Sequence, residues 1–189
     1  LPLIALGSAL GAALIVGLAA WLVTRAWHSC HRLPPAAIVD AVVVARDLRA
    51  ALHDPTHCGG GEWYRESERD RHEVGYRFER DDQGIICTRL TEGDAAAAHL
   101  SAQAYWVGQM APYEQLDTVS IDSLDLDTVG RCVAARIRVG DEPPSLLAVA
   151  RRDNEVLSVH LTGFPDLEPA HLATMIDGKL RRPVAQHAP

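Results

Sequence analysis

Four cysteines and two clusters of histidine are where this 189-residue chain could hold chemistry. Cys30, Cys58, Cys87 and Cys132 allow three disulfide connectivities. Strand alternation turns Cys87 and Cys132 away from the apolar faces of their hairpins. A straight helix over Ala36–Leu52 would hold Cys30 and Cys58 about 25 Å apart, too far for one bridge. Cys58 is therefore expected to pair inside the domain, with Cys87 or with Cys132, leaving Cys30 free or intermolecular. His28-Ser-Cys30-His31 and His53-x-x-x-His57-Cys58 have the composition of metal ligands. Pro55 spoils a shared helical face for His53 and His57, and the two clusters lie at opposite ends of one expected helix. No metal site is expected.

Asp122, Asp125 and Asp127 before Gly130 hint at calcium, but an EF-hand loop needs an oxygen ligand and a Glu where Val129 and Arg136 stand. They read as a solvated acidic turn. His160, beside Ser158 and Thr162, reads as the outer face of a strand. The chain has no GxSxG, no HExxH, no phosphate loop and no dinucleotide fingerprint. Neither a catalytic residue nor a cofactor is expected. The formal charge of −7 makes nucleic acid a poor partner.

The elements that would position these residues begin with Leu1–Val23, which contains no charged residue. At about 1.5 Å per residue it matches a ~30 Å hydrocarbon core, so 1–24 is read as a transmembrane anchor with membrane lipid as its partner. Trp21 and Trp27 suit an interface. Gly7 and Gly11, and the stripe Ala9, Ala13, Gly17, would permit close packing on another membrane helix. Residues 25–35 read as a juxtamembrane linker, 36–182 as one α+β domain and 183–189 as a tail. Arg25, Arg32 and Arg46 favour a cytoplasmic domain. The cysteines favour an oxidising compartment, and the reading adopted is extracytoplasmic.

Within the domain, Ala36–Leu52 has helical periodicity, and the charged run Glu62–Glu73 reads as solvated. Val74, Tyr76 and Phe78, then Ile86, Thr88 and Leu90 across Asp81–Gly84, form a first hairpin. Asp94 caps a helix over Ala95–Met110, ended by Pro112, with Leu100, Ala104 and Val107 inward and Tyr105 or Trp106 as a further inward residue. Its Tyr105, Trp106 and Met110 exceed one buried stripe and could line a binding surface. Gln115–Ser123 reads as an edge strand. Leu146–Arg152 and Glu155–Thr162 pair across Asp153-Asn154, matching Ala148 to Val159 and Leu146 to Leu161. Arg131–Val139 joins them with Val139 facing Leu146, which puts Val133 and Ile137 on that same apolar face. A helix capped by Asp166 and carrying Leu172, Met175, Ile176 and Leu180 covers the face. The total is about six mainly antiparallel strands and about three helices.

Arg131–Leu180, with its hairpin, Thr162-Gly163-Phe164-Pro165 and closing helix, follows a membrane helix and few cysteines. That arrangement resembles the extracytoplasmic sensor-like domains of actinobacterial single-pass membrane proteins and lipoproteins, some attached to Ser/Thr receptor kinases. The residues before Cys30 depart from a lipobox. The resemblance transfers no functional residue; it implies binding of an envelope ligand or another membrane protein rather than catalysis. An accessory subunit of a membrane complex and a cell-envelope enzyme are the alternatives.

Overall fold

The computed structural model describes residues 36–59, 61–128 and 130–181, with the side chains of Ala37 and His57 left out. The expected anchor with Gly7, Ala9, Gly11, Ala13 and Gly17, the linker with His28, Cys30 and His31, and the tail 183–189 lie outside these residues. No helix among the described residues is long and apolar enough to cross a membrane.

The fold is α+β. Its seven-stranded antiparallel sheet comprises β1 (Glu62–Glu68), β2 (Arg71–Arg80), β3 (Gln83–Thr91), β4 (Val119–Leu124), β5 (Arg131–Val139), β6 (Ser145–Arg152) and β7 (Glu155–Thr162). The spatial order is β1-β2-β3-β7-β6-β5-β4. Two-residue turns with Arg69, Asp81 and Asp153 at positive φ close three of the hairpins. Helix α1 (Ala36–Ala41) and α3 (Pro169–Leu180) cover one face, and α2 (Ala95–Met110) covers the other.

The β6–β7 register is the expected one, with Ala148 against Val159 and Leu146 against Leu161. The β5–β6 register is not: Ile137 pairs with Ser145 and Arg136 with Leu146. That is a shift of three residues, an odd number, so Val133, Ala135, Ile137 and Val139 turn to the α2 face. Ile137 is buried there with Met110 and Leu147, while Val133 is 52% exposed instead of lying under α3. The physical reason is that β6 is buried on both faces from Ser145 to Ala150. Leu147 and Val149 offer a second apolar stripe, so one-face patterning does not fix its partner's register. The first hairpin moves by one residue for a similar reason. Phe78, Tyr76 and Val74 face Ile85, Cys87 and Arg89, and Ile86 is left outward.

The expected helix over Ala36–Leu52 stops at Ala41. Val42–Val44 are β-branched, and the Val43 and Val44 N–H groups donate to Cys87 Sγ (3.2 Å) and Asp47 Oδ2 (2.9 Å), not to the preceding turn. The run Ala41–Ala45 is buried on all sides. Lys179, the one lysine in the chain, clamps it, with Nζ 2.7 Å from Asp47 and donating to the Val39 carbonyl. The charged run Glu62–Glu73, read as a solvated segment, forms edge strand β1, exposed at every residue, and the start of β2. Asp94 caps α2 as expected, accepting from the N–H groups of Ala96 and Ala97. Asp166 does not cap α3: Glu168 holds that position without a side-chain bond, and Pro169 starts the helix.

Candidate binding groove

On the α2 face the register aligns three rows of side chains across the sheet. Glu73, Leu90 and Val156 form one; Tyr64, Gly75, Thr88 and Ser158 the next; Arg77, Ile86, His160 and Leu147 the third. Rows are two strand residues apart, about 6.6 Å, and four helical residues rise about 6.0 Å. This near-match lets one flank of α2 and its continuation meet successive rows with every fourth residue. Tyr105 bonds Glu73. Gln109 Nε2 donates to Ser158 Oγ at 2.7 Å. The Tyr113 hydroxyl lies 3.3 Å from His160 Nε2, with the rings edge-on at 81°.

The outer wall is Tyr64. Its ring lies over Gly75, where a Cβ would sit 2.1 Å from a ring carbon, so the contact requires glycine. The Tyr64 hydroxyl donates to Glu73 Oε1 at 2.9 Å and lies 3.2 Å from Thr88 Oγ1. Arg71 also reaches the Glu73 carboxylate, at 3.2 Å. Burial, and then the negative charge of Glu73, push the Tyr105 phenol up; burial is the main cause for Tyr64 as well. Both phenols stay protonated at neutral pH and serve as donors. This end of the groove is internally satisfied.

The third row is open. A cavity of about 360 Å³ at the tip of the β2–β3 hairpin is lined by Arg77, Ile86, His160 and Thr162 and by the acidic residues Glu79, Asp81 and Asp82. That volume falls within the size of small-ligand sites. His160 is held below its ordinary pKa by burial and is neutral at pH 7. Arg77 carries an exposed guanidinium, 3.0 Å from Glu79. A guanidinium from β2 and a neutral imidazole and a hydroxyl from β7 thus stand beside the apolar Ile86, with Glu79, Asp81 and Asp82 at the hairpin end of the same cavity. Two further cavities exist. One of about 710 Å³ lies at the charged β1–β2 turn, beside the already engaged cap Asp94. One of about 430 Å³ lies beside Gln83, whose amide is committed to Ala51, Gly163 and His53.

Tyr105 and Trp106 are half-buried and Met110 is buried, all packed on the sheet as supports of the groove. Of the residues expected inward, Leu100 and Val107 are 65% and 64% exposed and Ala104 is exposed too, whereas Tyr105 and Trp106 do face the sheet. The expected bridge from Cys58 to Cys87 or Cys132 is not formed, and the three thiols are free. Cys87 and Cys132 both face the α1/α3 core, contrary to the alternation argument. Cys87 and Cys132 cannot bridge each other either, because β7 and β6 stand between β3 and β5, three steps of about 4.8 Å. Burial pushes Cys87 up to about 12 and Cys132 up to about 11. His53 is 3.1 Å from Asp82, and Asp122 is 2.8 Å from Arg138. No group of three or more His, Cys, Asp or Glu among the described residues is placed to hold a metal.

Tyr64, Glu73, Arg77, Gln109 and Tyr113 escape sequence reasoning because they sit in a charged run, on a helix flank and in a loop. The one available signal was Gly75 between Val74 and Tyr76, a glycine inside a strand, which marks a close approach. No protein-family model matches the chain, and no curated protein or solved structure matches it either.

Proposed function

We propose that the chain is a membrane-anchored, non-catalytic binding module of sensor-like type, with its ligand or partner received by the groove beside α2. The observation that carries the reading is the convergence of Arg77, His160 and Thr162 on one cavity, continued by the polar row under α2. The uncharged run Leu1–Val23 supports attachment to a membrane. Placement outside the cytoplasm rests on the resemblance to envelope domains, since the free thiols withdraw the disulfide argument. An envelope enzyme fits less well. Cys87 and Cys132 are held as thiols, and the exposed Ser67 Oγ to His72 Nδ1 contact of 2.6 Å on the β1–β2 hairpin lines none of the three cavities described.

An accessory subunit is the second reading, favoured by the outward side of α2. Leu100 and Val107 are exposed there on a helix with no acidic residue and only His99 as a base. Melting of the full chain in mild detergent, with fractions of a cell-envelope extract, tests the first reading. A stabilising fraction whose effect falls with Arg77→Ala and Tyr113→Phe is expected. A melt unmoved by every fraction, alongside co-purification of a partner lost in Leu100→Glu, would favour the accessory subunit. A reporter active only in the cytoplasm, fused after Pro189, should stay silent.

A further inference from the structure

The two edges of the sheet differ in charge. Edge strand β1 carries Glu62, Arg65, Glu66 and Glu68 in seven residues, whereas edge strand β4 carries Asp122 alone in six. Asp122 is already neutralised by Arg138 at 2.8 Å. Among the described residues nothing pairs with the outer side of β4, and an unpaired edge is a template for another strand, with charges as the usual guard.

The Gly140 N–H donates to the Thr118 carbonyl (3.1 Å), which fixes the alternation along the adjoining strand. Even-numbered residues bond inward to β5, so Val119, Ile121 and Ser123 present their N–H and C=O groups outward. We infer that β4 pairs antiparallel with β4 of a second copy of this chain, about a two-fold axis at Ile121, joining two sheets into one.

Charge favours a second copy at this edge and restricts the register, and among the registers left the one centred on Ile121 pairs its most exposed apolar side chain with itself. A two-fold normal to the sheet pairs residues whose numbers sum to an even value, because opposite residues must share a face. Centred on Ile121, it sets Ile121 against Ile121, Val119 against Ser123, and Ser120 against Asp122. The partly exposed Ile121 side chains then cover each other on the α2 face, and the Ser120 hydroxyl meets the Asp122 carboxylate. Centring on Asp122 would oppose two carboxylates, which disfavours that register. The β1 edge has no comparable solution. Registers centred on Tyr64, Arg65 or Glu66 each oppose Glu to Glu, and the middle one also opposes Arg65 to Arg65. The overall charge of −7 resists association in general, so the neutral edge is where it is opposed least.

Sedimentation of the pure full chain in mild detergent should show a monomer passing to a dimer as concentration rises. Ile121→Lys should abolish the dimer while leaving the melting temperature of the dilute, monomeric chain unchanged. Ser123→Pro removes only an outward N–H and should act likewise, which covers the case in which the lysine variant misfolds. Mild oxidation of Ile121→Cys should give a 121–121 link, located by peptide mass, in higher yield than Trp63→Cys gives a 63–63 link. A wild-type chain that stays monomeric to high micromolar concentration would overturn the inference, as would a dimer surviving both variants. Equal cross-linking at both edges would overturn it too. An extended strand of another protein at this edge would leave the pure chain monomeric and so counts against a second copy.

Discussion

Arg89 is 1% exposed beneath α3, where it donates to the Lys179 carbonyl at 2.7 Å and pairs with Glu155. A cation beside the last carbonyls of a helix is favourable, but a guanidinium this deep depends on its carboxylate partner. Removing one member of a buried pair costs about 3–5 kcal/mol, and Glu155 keeps 19% exposure, which lowers the figure. Glu155→Ala should therefore destabilise by about 2–3 kcal/mol, read from urea midpoints. The double variant Arg89→Met, Glu155→Leu should recover most of the loss. A single variant as stable as wild type would show that the pair contributes nothing. Gly75 makes a second point at this scale. Gly75→Ala forces the Tyr64 ring off the strand and releases its bonds to Glu73 and Thr88. A lost bond to a charged group is worth about 1.5–3 kcal/mol. The melting temperature should fall, whereas Tyr64→Phe with Gly75 intact should lose less.

Helix α2 depends on Asp94 for its start, with both cap bonds at 2.8 Å. Asp94→Ala should cost about 1 kcal/mol and raise amide exchange in the first turn; an unchanged melt would mean that packing alone holds the helix end. The bounds of α2 were legible because Asp94 and Pro112 are chemically specific. Its orientation was not legible, because Ala-rich sequence lets several stripes pass as the buried one, and the polar contacts of Tyr105 and Gln109 chose among them. The same contrast runs through the strands. The two-residue turn Asp153-Asn154 fixed the β6–β7 register locally. The longer connection Gly140–Pro144 left β5 free to settle where both faces of β6 are covered. The α1 segment was overextended because valine fits helical spacing on paper. The thiol of Cys87 and the carboxylate of Asp47, both distant in sequence or outside the pattern, take its amides out of the helix.

Three layers bury titrating groups on both faces of the sheet, and this gives the whole molecule a stability that depends on pH at both ends. On the α1/α3 face Cys87 and Tyr76 are each pushed up to about 12 and Cys132 to about 11, chiefly by burial. The ordinary values are 9.0 for the thiols and 10.0 for the phenol. Above pH 9 the unfolded chain gives up protons that the folded chain keeps. The unfolded state then binds fewer protons, and stability falls as pH rises. The contribution is intact below about pH 9 and is lost by about pH 12, at up to about 1.4 kcal/mol per pH unit for each group. On the α2 face the opposite holds for His160, whose pKa burial lowers from 6.5. Below that value the unfolded chain takes up a proton that the folded site refuses, so stability falls as pH falls. Urea midpoints across this range should trace a plateau near neutrality with a fall on each side. Cys132→Ala should flatten part of the alkaline limb and leave the acid limb alone. His160→Gln should do the reverse, flattening the fall just below pH 6.5. An alkaline limb unchanged by Cys132→Ala would mean that this thiol is wet in the folded protein. An acid limb unchanged in His160→Gln would mean that the imidazole protonates freely in the groove, which would remove the neutral wall on which the proposed binding site depends.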